Sequence, residues 1–98
     1  MKAIVIRGAS QTIETIELGD SDEIAALVGQ DSIISDEVDA ENAVYFDEDC
    51  FIRGTEGRFQ IDNLAPIAGI AVVTGVNAGA PADTSLTPEA LGARVKFL

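Results

Sequence analysis

The acidic residues between Ser35 and Cys50 are the part of the sequence with the most obvious chemical potential. The segment SDEVDAENAVYFDEDC contains seven carboxylates and no lysine or arginine. A group of carboxylates this dense can bind a hard cation, attract a basic protein surface, or simply stay solvated. The candidate residues for an acidic binding face are Asp36, Glu37, Asp39, Glu41, Asp47, Glu48 and Asp49.

One spacing within this segment is similar to a calcium-binding loop. Four carboxylates take positions 1, 3, 5 and 12 of an EF-hand-like register, namely Glu37, Asp39, Glu41 and Glu48. Position 1 should be aspartate, position 6 should be glycine rather than Asn42, and helices should flank the loop where this sequence predicts strands. We therefore expect a solvated acidic segment and no metal site.

The residue types present are unfavourable for most enzyme chemistry. The chain has no histidine and one cysteine, so it can form neither a Ser–His nor a Cys–His pair, and it lacks the usual ligands of transition metals. Cys50 follows three carboxylates, whose negative charge disfavours a reactive thiolate. We expect Cys50 to be a small buried apolar residue, and the protein to be a non-enzyme without a cofactor.

The motif RGTEGR places two arginines around two glycines. Backbone N–H groups beside guanidinium groups can bind phosphate, although the chain has no Walker lysine and no GxGxxG motif. The candidate phosphate-binding residues are Arg53, Gly54, Gly57 and Arg58. The competing interpretation is a tight hairpin with the turn GTEG, across which Arg53 and Arg58 face each other as solvated bases.

The net charge is the outlying property of the whole chain. It has 17 acids and 6 bases in 98 residues, a net charge of −11. Thirteen of the acids lie between Gly8 and Ile52, a stretch that contains no lysine or arginine. Such a charge disfavours direct contact with nucleic acid or anionic membranes and favours a basic protein partner. Salt adaptation and simple solubility are the alternative explanations.

Length and composition indicate one domain, residues 1–98. A chain of 98 residues can bury one modest core, and a hydrophobic share of 47% is typical of folded proteins. A single cysteine excludes an internal disulfide, which suits a reducing cytoplasm. The start MKAIVIRG is typical of a strand rather than a signal peptide, and LAPIAGIAVVTGV is too short to span a bilayer. We expect a soluble protein of the cytoplasm.

Hydrophobic patterns predict a sheet of five or six strands. KAIVIR and QTIETIEL predict a first hairpin, SIISDEV and NAVYFDED two further strands, and CFIRGTEGRFQI another hairpin. IAGIAVVTG is nearly all apolar, which indicates a strand buried on both faces. VNAGAPADTS is typical of a flexible surface loop, and RVKFL alternates as a final strand that closes the sheet.

Two short helices have recognisable start signals. Asp20 and Glu23 form a capping-box-like pair, and Gly29 suits the residue that ends that helix. Thr87 is the predicted N-cap of the second helix and Pro88 its first residue. We expect an α+β fold, a mixed or antiparallel sheet with one or two short helices on one face. The predicted core consists of Ile4, Ile6, Ile24, Leu27, Val44, Phe46, Ile70, Val72 and Leu91.

Several segments taken together resemble one known family. MKAIVI, ALVG, DEDCFIRG, DNLAPIAGIAVVTG and LTPEALGARVKFL follow one another over most of the chain. The most specific part is Asn63 followed by Ile67, Gly69, Val72, Val73 and Gly75. In these features the chain resembles domain-of-unknown-function family 3846, small proteins encoded by phages and plasmids. The resemblance implies a setting in mobile genetic elements and supplies no mechanism.

Three functional hypotheses follow. The first is an accessory protein of a phage or mobile element that binds and inhibits a basic host protein, for example in a defence system, through its acidic face. The second is a sponge that captures a nucleotide signal through Arg53 and Arg58. The third is a structural or oligomer-forming protein in which an exposed edge of KAIVIR or RVKFL pairs between chains. The sequence alone leaves all three open.

Overall fold

Two antiparallel sheets, packed face to face, make up most of the fold. The computed structural model describes all 98 residues, Met1–Leu98. The elements in chain order are β1 Lys2–Arg7, β2 Thr12–Glu17, α1 Asp22–Val28, β3 Ile33–Asp39, β4 Asn42–Asp47, β5 Arg58–Ile61, β6 Ile67–Ala68, β7 Ile70–Asn77, β8 Ala80–Ala82, α2 Pro88–Gly92 and β9 Val95–Phe97. The predicted α+β class is confirmed.

The large sheet has six strands, within the predicted five or six. Its order is β2-β1-β7-β4-β3, and β8 pairs with the end of β7. The β-branched run of β1 forms the predicted hairpin with β2, in unbroken register from Lys2↔Glu17 to Arg7↔Thr12. The β3–β4 hairpin has a bulge between Glu37 and Asp39. Strands β2 and β3 are therefore the two edges of this sheet.

The segment IAGIAVVTG contributes to both sheets. Strand β7 lies in the middle of the large sheet and is buried from Ala71 to Gly75, which confirms the strand predicted to be covered on both faces. Gly69 separates it from β6 with a φ of 91°, a conformation that favours glycine. The chain turns there from the small sheet, whose order is β6-β5-β9, into the large one. This second sheet was not predicted.

Each face of the large sheet covers its own cluster of apolar side chains. The cluster between the sheets consists of Ile4, Ile6, Val44, Phe59, Ile61, Ile67, Ala71, Val73 and Leu91. The cluster beneath α1 consists of Ala3, Leu18, Ile24 and Val72. Six of the nine predicted core residues are buried, and the other three, Leu27, Phe46 and Ile70, are half-buried. The prediction missed Phe59, Ile61 and Ile67, all from the small sheet.

Helix α1 begins two residues after the predicted N-cap but uses the predicted side chains. The carboxylate of Asp20 accepts the Asp22 N–H (2.9 Å), and that of Glu23 accepts the Gly19 N–H (2.9 Å). The helix ends at Gly29, which has a φ of 82°, as predicted. These contacts satisfy backbone donors around the helix start that would otherwise have no partner.

Helix α2 has the predicted start. The Thr87 hydroxyl accepts the Ala90 N–H at 3.1 Å, and Pro88 occupies the first turn. The two helices lie on opposite faces of the large sheet, because Leu91 of α2 belongs to the cluster between the sheets and Ile24 of α1 to the other. The expectation that both cover one face is wrong. Neither helix is long and apolar enough to cross a membrane.

Two other predictions are corrected. CFIRGTEGRFQI is not a hairpin, because residues 48–54 form turns, residues 55–57 belong to no helix or strand, and only Arg58–Ile61 is a strand. VNAGAPADTS is not simply a loop, because β7 and β8 form a hairpin in which Asn77 pairs with Ala80. Both residues of its turn, Ala78 and Gly79, have positive φ, which matches the right-handed twist of paired strands.

Candidate functional site: the acidic edge

Most of the acids without a basic partner belong to two neighbouring parts of the fold, the start of α1 and the β3–β4 hairpin. Six of the seventeen acids form ion pairs, namely Glu14, Glu17, Asp39, Asp47, Asp49 and Asp62, which leaves eleven without a basic partner. Eight of these eleven lie around the start of α1 and along the β3–β4 hairpin, and all eight are exposed. We call them the acidic edge: Asp20, Asp22, Glu23, Asp31, Asp36, Glu37, Glu41 and Glu48.

The seven carboxylates singled out in the sequence divide into two groups. Asp36, Glu37, Glu41 and Glu48 are exposed, have no basic partner, and belong to the acidic edge. The remaining three, Asp39, Asp47 and Asp49, bind arginines within the fold. The predicted acidic binding face does not include the acidic residues around α1. The feature that could have identified them is that they lie in the same stretch without lysine or arginine.

Asp47 anchors the turns that follow β4. Its side chain is 5% exposed and accepts hydrogen bonds from Nε of Arg53 (2.8 Å) and from the Asp49 N–H (3.0 Å). The Asp49 carboxylate lies 3.9 Å from the same guanidinium group. A buried carboxylate with these partners is part of the fold, so it is not available to a binding partner.

Asp39 joins the two sheets through Arg94. One carboxylate oxygen accepts the Glu41 N–H and the Asn42 side-chain amide, both at 2.9 Å, and the other lies 3.1 Å from Nη1 of Arg94. Partial burial raises the pKa of Asp39. The hydrogen bonds from Glu41, Asn42 and Arg94, together with the positive charge of Arg94, outweigh burial and hold that pKa below its usual value.

The low pKa of Asp39 predicts a loss of stability in acid. A carboxyl group whose pKa is lower in the folded state contributes stability fully above its unfolded pKa of about 4, and loses it as the pH falls through the folded value. Urea unfolding between about pH 2 and pH 7 should therefore show a steeper loss of unfolding free energy below about pH 4 for the wild type than for Asp39→Asn. Parallel curves would contradict this prediction.

The calcium-like spacing does not gather carboxylates around one point. Glu41 lies at the β3–β4 turn, whereas the Glu48 N–H donates to the Ser32 carbonyl at 2.7 Å, next to the start of β3. The six residues of β4 lie between these two ends of the hairpin, which are therefore about 20 Å apart. The acids are therefore distributed along a strand edge, a shape suited to an extended surface rather than to one ion.

The RGTEGR motif does not bring its arginines together. Arg53 lies against Asp47, while the guanidinium carbon of Arg58 lies 5.4 Å from the centre of the Phe51 ring. Both glycines of the motif and Arg58 line an open depression of about 360 Å³. Glu56 also lines it, and a carboxylate there opposes an anionic ligand. The predicted pair of facing arginines is not formed.

Two bases without an acidic partner lie away from the start of α1. Arg7, Arg53 and Arg94 are neutralised by carboxylates. Arg58 and Lys96 have no acidic partner and lie on the outer face of the small sheet, because their neighbours along β5 and β9 are directed into the core. The small sheet and α1 cover opposite faces of the large sheet, so this basic face is opposite the acidic start of α1.

A groove runs between α1 and β3 beside the acidic edge. It has a volume of about 410 Å³ and is lined by Ile24, Ile33 and Tyr45, among others. Asp22 and Ser35 also line it. An apolar surface next to a carboxylate suits the side chain of lysine or arginine, whose stem is apolar and whose head is charged.

Comparison of the chain with protein-family models, curated proteins and solved structures finds no match. The resemblance to domain-of-unknown-function family 3846 stays a prediction from the sequence. Function is therefore inferred from the geometry and charge of the acidic edge.

Proposed function

We propose that this chain is a non-enzymatic binding protein that presents its acidic edge to a basic surface on another protein. The observation that carries the proposal is the concentration of eight exposed, unpaired carboxylates around α1 and the β3–β4 hairpin. Carboxylates elsewhere are largely neutralised by arginines of the same chain. A single-signed region of this kind accelerates encounter with a surface of opposite charge.

The distribution of charge favours binding over a general solubility role. Acids that serve only solubility or salt adaptation are expected all around the molecule. Here only Glu56, Asp83 and Glu89 are unpaired outside the acidic edge. Unpaired carboxylates along one edge repel each other and so reduce stability, which a partner of opposite charge would relieve.

The groove beside the edge indicates the kind of side chain that the partner supplies. A lysine or arginine stem can lie over Ile24, Ile33 and Tyr45 while its charged head reaches Asp22. In the mobile-element setting that the sequence suggests, the partner is a basic host protein, such as a component of a defence system, and binding inhibits it.

A pair of charge-matched variants tests the proposal. Glu37→Lys/Glu41→Lys reverses two residues of the acidic edge, and Glu56→Lys/Glu89→Lys reverses two exposed acids outside it, so both proteins have the same net charge. The probe is a labelled peptide of alternating lysine and valine, and fluorescence anisotropy is measured from about 0.05 to 0.5 M NaCl. We expect the edge variant to bind at least about tenfold more weakly and the control less than about threefold.

Two outcomes would contradict the proposal. Equal weakening by both variants would show that only the net charge matters. Undetectable peptide binding, combined with stability that rises steeply towards molar NaCl, would instead assign the acidity to salt adaptation.

A further inference from the structure

Strand β2 forms the edge of the large sheet opposite β3 and, unlike β3, pairs with its neighbour without a bulge. The oligomer hypothesis predicted free edges in KAIVIR or RVKFL. The structure places KAIVIR, strand β1, between β2 and β7, so it has none, and β9 offers only three residues. Strand β2 pairs with β1 over six residues without a bulge, and its backbone bonds to no other element. An edge this regular, with no backbone partner of its own chain on its outer side, can pair with another strand.

The two carboxylates of strand β2 are each paired with a positive charge. The Glu14 carboxylate lies 3.4 Å from Nη1 of Arg7, and that of Glu17 lies 3.4 Å from the N-terminal amine of Met1. The acidic strand β3 is four strand spacings away, or about 19 Å, which is more than twice the Debye length of about 8 Å at physiological salt. Two copies of this strongly negative chain can therefore approach each other through β2, with the acids around the start of α1, beginning at Asp20 three residues after Glu17, as the nearest unpaired negative charge along the chain.

The hydrogen-bond pattern shows which backbone groups point away from β1. Met1 and Leu18 exchange two bonds, Met1 N to Leu18 O at 2.7 Å and Leu18 N to Met1 O at 2.8 Å. Along an antiparallel pair such exchanges occur at every second residue. The N–H and C=O groups of Ile13, Thr15 and Glu17 therefore point outward, open to a second strand.

We propose that two copies of this chain form a dimer by antiparallel pairing of β2 about a two-fold axis at Thr15. In this register Thr15 pairs with Thr15 of the second copy, and Ile13 pairs with Glu17 of the second copy. All outward groups are then used, which gives six backbone hydrogen bonds. Glu14 faces Ile16 of the second copy, so no two carboxylates are directly opposite, whereas an axis at Glu14 would place two of them face to face.

The dimer has a consequence for the placement of the acidic edges. Its two-fold axis is perpendicular to the joined sheet, so both copies keep α1 on the same face. The two β3 strands become the outer edges of the joined sheet, nine strand spacings or about 43 Å apart. The dimer would thus present two separated acidic edges. The pairing itself does not depend on the proposed function.

Proline at position 15 tests the dimer. Thr15→Pro removes an outward donor and no bond to β1, and proline is tolerated on an edge strand where its nitrogen faces solvent. The control is Ser35→Pro on β3: the Ser32 carbonyl is directed to β4, so the Ser35 N–H points outward on the acidic edge. In sedimentation equilibrium at about 5–500 µM, Thr15→Pro should weaken the dimer at least about tenfold and Ser35→Pro should leave it unchanged.

Thr15→Cys tests the same geometry without proline. Paired residues across the axis have Cα atoms about 5.5 Å apart, within the range of a disulfide. Oxidised glutathione should therefore link Thr15→Cys into a covalent dimer of twice the 10.2 kDa monomer mass, whereas Ser35→Cys should stay monomeric. Cys50 does not interfere because it is 2% exposed.

The dimer and the peptide complex of the acidic edge should respond to salt in opposite ways. Salt should strengthen the dimer by screening repulsion between the copies, whereas it should weaken peptide binding to the acidic edge. A wild-type protein that remains monomeric at about 500 µM in about 1 M NaCl would overturn the dimer. Equal cross-linking of Thr15→Cys and Ser35→Cys would also overturn it. Neither result would affect the peptide experiment.

Discussion

Gly57→Ala is expected to cost about 4 kcal/mol or more and to leave much of the protein unfolded. Gly57 has a φ of 83°, which costs a residue with a side chain about 1 kcal/mol. An added Cβ would also lie 2.1 Å from the nitrogen of Ala9 and 2.3 Å from the carbonyl carbon of Gly8. Both contacts are with backbone atoms, which cannot rotate away as a side chain can.

Neighbouring hydrogen bonds keep the backbone from moving aside. The Gly57 carbonyl accepts the Gly69 N–H at 2.8 Å, and the Gly69 carbonyl accepts the Gly8 N–H at 2.8 Å. This chain of bonds joins the turns before β5 to the corner between the sheets and to the end of β1. Withdrawal of Gly57 would therefore break contacts in both sheets.

Gly54→Ala is the matched control for this prediction. Gly54 also has a positive φ, 70°, but no atom lies within 4 Å of the position of its Cβ. The expected cost is only the conformational one, about 1 kcal/mol. Urea unfolding followed by circular dichroism compares the two variants. Similar midpoints would show that the close approach at Gly57 is not what limits stability.

The correctly predicted elements are those with a strong local signal. The β1–β2 hairpin follows from two adjacent β-branched runs, and α2 follows from the Thr87 cap and Pro88. Each of these interactions joins residues that are close in sequence, so sequence patterns contain the information needed.

The small sheet was missed because its signals are short and its pairings distant. Strand β6 has only two residues, too few for alternation to be recognised, and β9, which the alternation of RVKFL predicts, joins the small sheet instead of closing the large one. Phe59 pairs with Phe97, far along the chain, and their rings meet edge to face with centroids 6.2 Å apart. The turn geometry at Gly57 likewise depends on the approach of Gly8, which no local pattern reveals.

The sequence predicts that the candidate site is acidic, but not which of the acidic residues belong to it. The base-free stretch identifies where the acids are. Which of them stay unpaired depends on arginines placed by the fold: Arg94 reaches Asp39 across 55 residues, and Arg53 turns back to Asp47 instead of facing Arg58. The division between structural and exposed carboxylates is therefore a property of tertiary structure.

Arg94→Ala is expected to destabilise the protein by about 2 to 3 kcal/mol, a fall in Tm of at least about 10 °C. The guanidinium group binds both oxygens of Asp62, binds Asp39, and lies 3.4 Å from the Val38 carbonyl. It thereby links β3 of the large sheet to β5 and β9 of the small one. Its removal leaves two carboxylates without a cation. Because these groups are about one-third exposed, the expected loss is below that of a fully buried pair.

Two comparisons test the origin of that loss by thermal unfolding. Arg7→Ala breaks an exposed pair with Glu14 and should cost less than about 1 kcal/mol. Adding Asp39→Asn to Arg94→Ala should recover part of the stability, because it removes one of the unpaired charges. A double variant no more stable than Arg94→Ala would mean that packing of the arginine stem, rather than its charge, holds the sheets together.

Arg94→Ala should change stability and peptide binding in opposite directions. Arg94 keeps Asp39 neutralised next to the acidic edge, within two residues of Glu37 and Glu41. Its removal frees Asp39 and Asp62 and makes that end of the hairpin more negative. If the edge is the binding surface, Arg94→Ala should bind the lysine-rich peptide more tightly while unfolding at a lower temperature. A loss of both properties would show that the edge needs Arg94 to keep its shape.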